Sequence, residues 1–175
     1  MEVEPSLIHR LFYPQVPLVI AAKAGARASA MPVVSYLSVS EKPPIVAVAC
    51  APRGFTCKLA RRARCFSLSV LGREESSTVS KLATTSGAAV KDKLAMAGLA
   101  YSDGTKLDVP VLDAALATLE CRLLSAVRLG DHVLLVARVE TAYARDAFRE
   151  FWDYGKYRPI LYAGWQGGLS QYDAS

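Results

Sequence analysis

Metal-binding pairs and nucleotide-binding glycine loops are missing from this sequence. It has only two histidines, His9 and His132, which stand far apart, and none of its four cysteines forms a CxxC pair. Zinc sites are commonly built on such pairs, so the sequence predicts no metal site. It also has no GxGxxG, GxxxxGKS/T or GxSxG segment. The glycine-rich loops of Rossmann and P-loop proteins and the nucleophile elbow of α/β-hydrolases are therefore excluded.

Long apolar runs are missing as well. The longest, such as residues 45–51, have only the length of a strand, so no membrane-spanning segment is predicted. Residues 1–17 include Glu2, Glu4 and Arg10 and lack the apolar centre of a signal peptide. The chain has 175 residues, of which 52% are hydrophobic and 21% charged, the composition of a globular protein. We expect a cytoplasmic protein with one domain, residues 1–175, and a real core.

Positive charge is concentrated in one short stretch of a chain whose net charge is +5. Lys58, Arg61, Arg62 and Arg64 lie within seven residues, and the next acidic residue along the chain is Glu74. Such a cluster could bind nucleic acid or a phosphorylated cofactor, or it could only face solvent. A solvated helix face is the most common of the three.

Alternating apolar patterns and turn signals predict more strands than helices. They favour strands at 17–24, 31–40, 45–50, 65–70, 119–127 and 132–144. Helices are predicted at 56–64 with Thr56 as N-cap, at 74–84 and at 90–97, and one or two helical turns at 147–154. Because strands and helices do not alternate regularly, the pattern favours a mainly β (α+β) fold, an antiparallel β-barrel with peripheral helices. Cys50 and Cys65 lie in predicted strands and are expected to be buried free thiols.

The turn at 52–54 and the helix start that follows it form the first candidate site. Free backbone N–H groups at a helix start attract anions, and Arg53 and Lys58 add positive charge beside them. The Thr56 hydroxyl could donate to a phosphate oxygen. An ordinary capped helix after a turn explains the same residues and is the more common arrangement.

Three further features have ordinary explanations that, taken alone, are favoured. Small and hydroxyl residues between 29 and 38 would let a flat ligand approach the backbone, or would face solvent from a barrel strand. His132 follows Asp131 at a hairpin turn, where it could orient a carboxamide or only pair with Asp131. A group of aromatic residues near the C-terminus is typical of a core edge or a subunit contact: Trp152, Tyr154, Tyr157, Tyr162 and Trp165.

Four segments of the chain occur in an order and at a spacing that resemble a known family. They are ASAMPVVSYLSVSEKPP from residue 28, IVAVACAPRGFTCKLARRARCFSLSVL from residue 45, KDKL at 91–94, and ALATLECRL followed by GDHVLLVARV. Together they resemble the flavin reductase-like family, the FMN-binding split β-barrels, over about residues 11–165. The resemblance implies a split β-barrel and a homodimer.

The resemblance also implies a cofactor and roles for individual residues. It implies FMN, with FAD as the alternative, and NAD(P)H as substrate. The flavin ring edge would be approached, largely by backbone, by Ser29, Ala30, Met31, Pro32 and Val33. The adjoining strand would line the ring with Ser35, Leu37 and Ser38. The ribityl chain and phosphate would be surrounded by Cys50, Ala51, Pro52 and Phe55, and the phosphate met by Arg53, Thr56, Lys58 and Lys93. His132 would lie near the nicotinamide, whereas Arg61, Arg62 and Arg64 are expected to face solvent.

The implied reaction is hydride transfer from the nicotinamide C4 to the flavin N5, after which electrons pass to a partner monooxygenase or another acceptor. One departure weakens the nicotinamide assignment: Ala137 stands where the family usually has glycine. A flavin-binding electron carrier without free-flavin reductase activity is therefore the alternative function. A nucleic-acid-binding barrel is a distant third, because the basic stretch at 58–64 lacks the interleaved aromatic residues that stack on bases.

Overall fold

A seven-stranded antiparallel sheet forms the centre of the protein, with the strand order β2-β1-β5-β8-β9-β4-β3. The computed structural model describes residues 2–164 and 169–171. The strands are β1 (Leu18–Ala24), β2 (Arg27–Val33), β3 (Tyr36–Glu41), β4 (Pro44–Cys50), β5 (Cys65–Val70), β6 (Tyr101–Asp103), β7 (Pro110–Leu112), β8 (Ala117–Leu129), β9 (His132–Ala144), β10 (Ile160–Tyr162) and β11 (Leu169–Gln171). The last two form a small hairpin, as do β6 and β7.

Short helices lie around the sheet. They are a 3₁₀ helix at Pro5–Phe12, α1 (Phe55–Ala63), a 3₁₀ turn at Arg73–Glu75, α2 (Ser76–Thr84) and α3 (Lys93–Ala97). α1 connects β4 to β5, whereas α2 and α3 pack against β2. None of the helices in the described part of the chain is long and apolar enough to span a membrane.

The sheet curls but does not close. Its two edge strands, β2 and β3, are joined by only two residues, and the Ser35 carbonyl in this connection accepts a hydrogen bond from the backbone N–H of Ala49 at 2.8 Å. The described sheet therefore has an opening between β2 and β3. This arrangement confirms the predicted antiparallel split β-barrel with peripheral helices.

Two hydrophobic cores lie on opposite faces of the sheet, because successive side chains of a strand point in opposite directions. Ile20 of β1 belongs to the core that α1 covers, together with Phe66 and Leu135. Its neighbours Val19 and Ala21 belong to the second core, which is built from α2, α3 and the segments around them. Alternation in β1 thus supplies side chains to the cores on both faces of the sheet.

Three local predictions were wrong. The single strand predicted at 31–40 is divided between β2 and β3, because the chain crosses there from one edge of the open sheet to the other. Thr56 is not the N-cap of α1: the helix begins at Phe55 after Gly54, and the Thr56 hydroxyl lies 2.9 Å from the Ser29 hydroxyl. Residues 147–154 form turns around an isolated bridge between Phe148 and Trp152 rather than helix, because these two rings pack edge to face at 5.2 Å.

One buried carboxylate fastens the connection between β6 and β7. The fully buried Glu120 of β8 accepts hydrogen bonds from the backbone N–H groups of Thr105, Lys106 and Leu107 at 2.7, 2.9 and 2.7 Å. The hydroxyls of Thr105 and Tyr143 donate to it as well, at 3.0 and 3.1 Å. Burial alone would raise the pKa of Glu120. The hydrogen bonds from the backbone N–H groups and the Thr105 hydroxyl together lower it by more than burial raises it, so the pKa lies below the ordinary value.

Candidate functional site

One face of the edge strand β2 contacts the beginning of α1. Arg27 and Ser29 share this face, since they stand two residues apart in a strand. The Arg27 guanidinium lies over the ring of Phe55, 4.7 Å from its centroid, and the Ser29 hydroxyl lies 2.9 Å from that of Thr56. Ser29 and Thr56 are buried, so this hydrogen bond fixes the first turn of α1 against the sheet.

Within the described part of the chain, no side chain caps the beginning of α1. Its N-cap is Gly54, and the hydroxyl of Thr56 is engaged by Ser29 instead. A Cβ on Gly54 would lie 3.1 Å from the Ala51 carbonyl oxygen and 3.7 Å from the sulfur of Met31, so glycine permits the tight turn before the helix. Because no side chain caps the first-turn N–H groups, the positive end of the helix is open to an anion.

Lys93, the first residue of α3, is a buried cation. The residue is only 4% exposed, but its Nζ is not fully buried, and no hydrogen bond or ion pair engages the ammonium group among the described residues. The adjacent Asp92 caps α3 by accepting the backbone N–H of Ala95 at 3.0 Å. Burial lowers the pKa of Lys93 to about 8. A partly desolvated ammonium group without a protein partner is costly, so its position favours an anionic ligand.

The segment that leads to Lys93 packs against the beginning of α1. Arg27 donates through Nη2 to the carbonyl oxygens of Gly87 and Val90 at 2.8 and 3.2 Å. A Cβ on Gly87 would lie 2.4 Å from the Ser29 hydroxyl oxygen and 2.8 Å from the Phe55 ring. Three parts of the chain therefore meet here: β2, the start of α1 and residues 85–93.

Replacing Gly87 with alanine is expected to destabilise the protein by about 1–3 kcal/mol, because the added methyl group overlaps Ser29 and Phe55. Urea denaturation of the purified variant measures this change. The control is Ala88→Ser at an exposed position of the same segment, which should change the free energy of unfolding by less than about 0.5 kcal/mol. Equal effects of the two substitutions would contradict this contact.

The remaining residues of the implied flavin site have different surroundings. Ala30 and Val33 are buried, each in a different core, and Pro32 is half-buried. Two of the residues on the other side of the opening, Leu37 and Ser38 of β3, are exposed, as is Ser35 in the connection. Exposed positions at the start of α1 and before it are Ala51, Arg53 and Lys58, while Pro52 is half-buried. The side chains that the structure brings into direct contact are those of Ser29 and Thr56, with Met31 and Phe55 beside them.

His132 lies at the same end of the barrel as the turn before α1. Its neighbour Val133 pairs with Cys50, the last residue of β4. Nδ1 of the half-exposed ring lies 2.7 Å from the carboxylate of Asp131. The His132 ring holds the pKa of Asp131 below its ordinary value. The pair predicted as the ordinary explanation is therefore present, and it also fixes the orientation of the ring.

The four cysteines are free and buried, which confirms the prediction for Cys50 and Cys65. A hydrogen bond with Cys57 and burial both raise the pKa of the Cys50 thiol. The same hydrogen bond, together with Arg61, lowers the pKa of Cys57 to about 7 even though burial opposes this. Both thiols lie in the core behind the start of α1.

The basic residues of α1 are exposed, as predicted for Arg61 and Arg62. Arg64 is also exposed, but it ends the helix in a left-handed conformation, with φ at 60°, and its guanidinium donates to the carbonyl oxygen of Leu123 at 3.2 Å. It therefore connects α1 to β8 rather than only facing solvent. A nucleic-acid surface at 58–64 stays the distant third alternative, which no contact in the structure tests.

The C-terminal aromatic residues pack in part on one another. The rings of Trp152 and Tyr157 lie 4.3 Å apart between centroids, and Tyr157 is buried. Tyr162 meets Tyr13 edge to face at 5.1 Å, whereas Tyr154 is 71% exposed. Trp165 lies outside the described residues.

Arg27 is the site residue that the sequence analysis missed. It lies between the strands predicted at 17–24 and 31–40, whereas the structure places it at the start of β2. Alternation back from Ser29 would have put Arg27 on the same face, and this was the available signal. Metal binding is a separate question. Across residues 2–164 and 169–171, no group of three His, Cys, Asp or Glu side chains could hold a metal ion.

The fold and the site define an antiparallel split barrel in which an edge strand, the start of the main helix and the segment before Lys93 meet. The Flavin reductase like domain family matches residues 9–163, and the chain belongs to this family.

Relatives of known sequence include proteins with and without a described activity. An uncharacterised protein of Aeropyrum pernix is 32% identical over 158 residues, which are 90% of this chain and 60% of that protein. The chain thus spans less than two thirds of the length of this relative. A protein of Streptomyces pristinaespiralis named NADH:riboflavin 5'-phosphate oxidoreductase is 37% identical over 122 residues, 69% of this chain and 65% of its own length.

Solved structures show the same fold. An FMN-binding protein from Thermus thermophilus, crystallised with 1-cyclohex-2-enone, superposes with a TM-score of 0.82 at 29% identity and covers 98% of this chain and 92% of its own. An NADH:FAD oxidoreductase of Streptomyces globisporus superposes with a TM-score of 0.81 at 21% identity, covering 99% and 98% of the two chains. At this lower identity the likeness concerns the fold alone.

Proposed function

We propose that this chain is a flavin-binding oxidoreductase that binds FMN and uses NAD(P)H as the reductant. The observation that carries the proposal is Lys93, a buried residue whose ammonium group has no partner among the described residues, in a chain of the Flavin reductase like domain family. The segment that leads to Lys93 contacts Phe55 at the start of α1 through Gly87. An ammonium group in this position lacks an anion, and the phosphate of FMN supplies one. The relatives named above as FMN-binding and as an NADH:riboflavin 5'-phosphate oxidoreductase support the same choice.

The donors at the phosphate end suit a phosphorylated flavin. The first-turn N–H groups of α1 would donate to it, and the Thr56 hydroxyl would donate as well while it accepts from Ser29. Arg53 and Lys58 are exposed beside the helix start. Lys93 adds a cation that is shielded from water. Hydrogen bonds between charged partners are the strongest kind when they are partly desolvated, so Lys93 would contribute most to holding the phosphate.

The ring end suits a flat heterocycle. β2 is an edge strand that pairs only with β1 in the described sheet, so one side of its backbone has donors and acceptors available to a ligand. Residues 29–33 would meet the polar edge of the ring in this way. Ser35, Leu37 and Ser38 lie across the opening and would line the ring from the adjoining strand, and residues 50–55 would lie along the ribityl chain.

Bound flavin would supply the redox chemistry, accepting hydride at N5 from C4 of the nicotinamide. This chain would orient the two rings and limit the access of water. His132, held by Asp131 at 2.7 Å, presents an oriented ring at the same end of the barrel and would position the carboxamide of the nicotinamide. No side chain is required as an acid or a base.

We also propose that the protein is a homodimer. Exposed apolar side chains occur on β3 and on the long β8–β9 hairpin, a distribution that favours burial against a second copy: Leu37, Val39, Leu124, Val127 and Leu129. The chain as given would form one flavin reductase-like domain. It would act in the cytoplasm and pass electrons to a partner monooxygenase or another acceptor.

A flavin-binding electron carrier without free-flavin reductase activity is the second candidate. The observation in its favour is Ala137, which is fully buried in β9 and stands where glycine is usual in the family. A methyl group here changes the packing beneath the strand that begins with His132, on the side assigned to the nicotinamide. FAD in place of FMN would alter neither candidate.

A visible spectrum and an anaerobic titration distinguish these functions. The purified protein mixed with FMN should retain a yellow chromophore through gel filtration, and NADH or NADPH should bleach it within the time of mixing. A carrier would retain the chromophore but would not be bleached by either nucleotide. A protein that retains neither FMN nor FAD would overturn both candidates.

A further inference from the structure

The contacts of Arg27 connect two parts of the proposed flavin site. Its guanidinium stacks on Phe55 at the start of α1 and donates two hydrogen bonds to the carbonyl oxygens of Gly87 and Val90. Both acceptors lie in residues 85–92, which join α2 to α3. One side chain therefore holds this connecting segment against the helix start.

The connecting segment ends at Lys93. Val90, whose carbonyl oxygen Arg27 holds at 3.2 Å, stands three residues before Lys93 in the chain. Gly87 lies so close to Ser29 and Phe55 that even a Cβ would overlap them, which shows that the segment is packed tightly at its other end. The position of Lys93 thus depends on a segment with Arg27 as its polar attachment to β2.

Arg27 is not arranged for stability alone. Its Nε is buried and has no hydrogen-bond partner in the described part of the chain. An unpaired buried N–H group of a guanidinium is destabilising. Methionine or leucine would fill the space over Phe55 without leaving a buried N–H group unpaired. Neither of them could donate the two hydrogen bonds to the carbonyl oxygens of Gly87 and Val90. What arginine adds is the attachment of residues 85–92.

We propose that Arg27 is a positioning residue that makes the site selective for phosphorylated flavins, because it holds residues 85–92 where Lys93 reaches the phosphate. This inference rests on the proposed function and deepens it. Arg27 acts through Lys93, so its removal weakens the binding of FMN and leaves the binding of riboflavin, which lacks the phosphate, nearly unchanged.

The test compares FMN with riboflavin, using quenching of flavin fluorescence to measure both dissociation constants. Arg27→Met should weaken FMN binding about ten-fold and riboflavin binding by less than about three-fold. Arg27→Lys, which keeps the charge and one donor group for a carbonyl oxygen, should restore part of the difference. Arg62→Met, an exposed position on α1, is the matched control and should leave both constants unchanged.

A double-mutant cycle with Lys93→Met tests whether Arg27 acts through Lys93. In the Lys93→Met background, Arg27→Met should have little further effect on FMN binding, because the group it positions is gone. Equal weakening of FMN and riboflavin by Arg27→Met and Arg27→Lys, or full additivity in the cycle, would overturn the inference. If the unmutated protein preferred FMN and Arg27→Met kept that preference, only the inference would fail. If the unmutated protein bound neither flavin, the proposed function would fail with it.

Discussion

Replacing Lys93 with methionine is expected to weaken FMN binding about 10- to 100-fold while the affinity for riboflavin stays nearly constant. Lys93 is a buried residue whose ammonium group has no partner among the described residues, so the phosphate would be its partner. Removing it deletes a charge-assisted hydrogen bond that only the phosphorylated flavin can form. Fluorescence titration with the two flavins measures the difference.

The same substitution should stabilise the ligand-free protein by about 1–3 kcal/mol near neutral pH. Burial without a partner lowers the pKa of Lys93 from 10.5 to about 8, so below pH 8 the folded protein carries a desolvated charge that methionine lacks. A variant that is more stable and binds FMN less well would indicate that Lys93 is retained for ligand binding. Lys91→Met, at an exposed position two residues earlier, is the control and should change neither property.

The pH dependence follows from the same pKa. Between about pH 8 and 10.5 the unfolded chain keeps the Lys93 proton and the folded, ligand-free protein has lost it. The unfolded state binds more protons in this window, so the contribution of Lys93 to the free energy of unfolding rises with pH. FMN affinity should fall above pH 8, because the protonated form binds the phosphate. A flat FMN affinity between pH 7 and 9.5 would contradict this role of Lys93.

Replacing Glu120 with glutamine is expected to destabilise the fold by about 3–5 kcal/mol. The carboxylate is fully buried and accepts hydrogen bonds from three backbone N–H groups and two hydroxyls. Glutamine has nearly the same size, but its NH₂ group would face donors and leave some of them unpaired. Urea denaturation measures the loss.

Glu140 provides the control for this substitution. It lies on the neighbouring strand β9, and its carboxylate pairs with Arg122 and Arg138, both at 2.8 Å, near the surface. Glu140→Gln should leave the free energy of unfolding nearly unchanged, because ion pairs near the surface contribute little. If both substitutions lowered the free energy of unfolding equally, the buried hydrogen bonds of Glu120 would contribute no more to stability than the ion pairs of Glu140.

Acid should act on the same carboxylate. The pKa of Glu120 is lower in the folded protein than its ordinary value of 4.5, so its contribution to stability is fully present above that value. The contribution is lost as the pH falls through the folded-state pKa, because the unfolded chain takes up the proton first. The Glu120→Gln variant should therefore show a shallower loss of stability below pH 4.5 than the unmutated protein.

Local patterns in the sequence determined most of the strands. The alternation at 65–70, the apolar run at 45–50 and the hairpin turn at Gly130 all predict elements that the structure contains. Gly130 has a positive φ of 57°, a conformation that glycine adopts without strain in a tight turn between long strands. Such features depend on neighbours a few residues away, and these are visible in one sequence.

The boundary between β2 and β3 and the start of α1 were decided by contacts across the chain. Thr56 has the residue type of an N-cap, but Ser29, 27 positions earlier, engages its hydroxyl once β2 packs on α1. A propensity for capping competes with any other partner that the fold supplies, and the sequence does not show that partner.

The sequence by itself determined an antiparallel barrel, its order of elements and the basic, glycine-containing turn before the main helix, because periodicity and turn chemistry are local. Only the tertiary structure decided that Lys93 is buried with no partner for its ammonium group among the described residues, and that Arg27 attaches the segment leading to it. It also decided that Glu120 accepts five hydrogen bonds. The physical reason is that burial and pairing of charged groups depend on residues far apart in the chain, which become neighbours only when the sheet curls and the helices pack on its two faces.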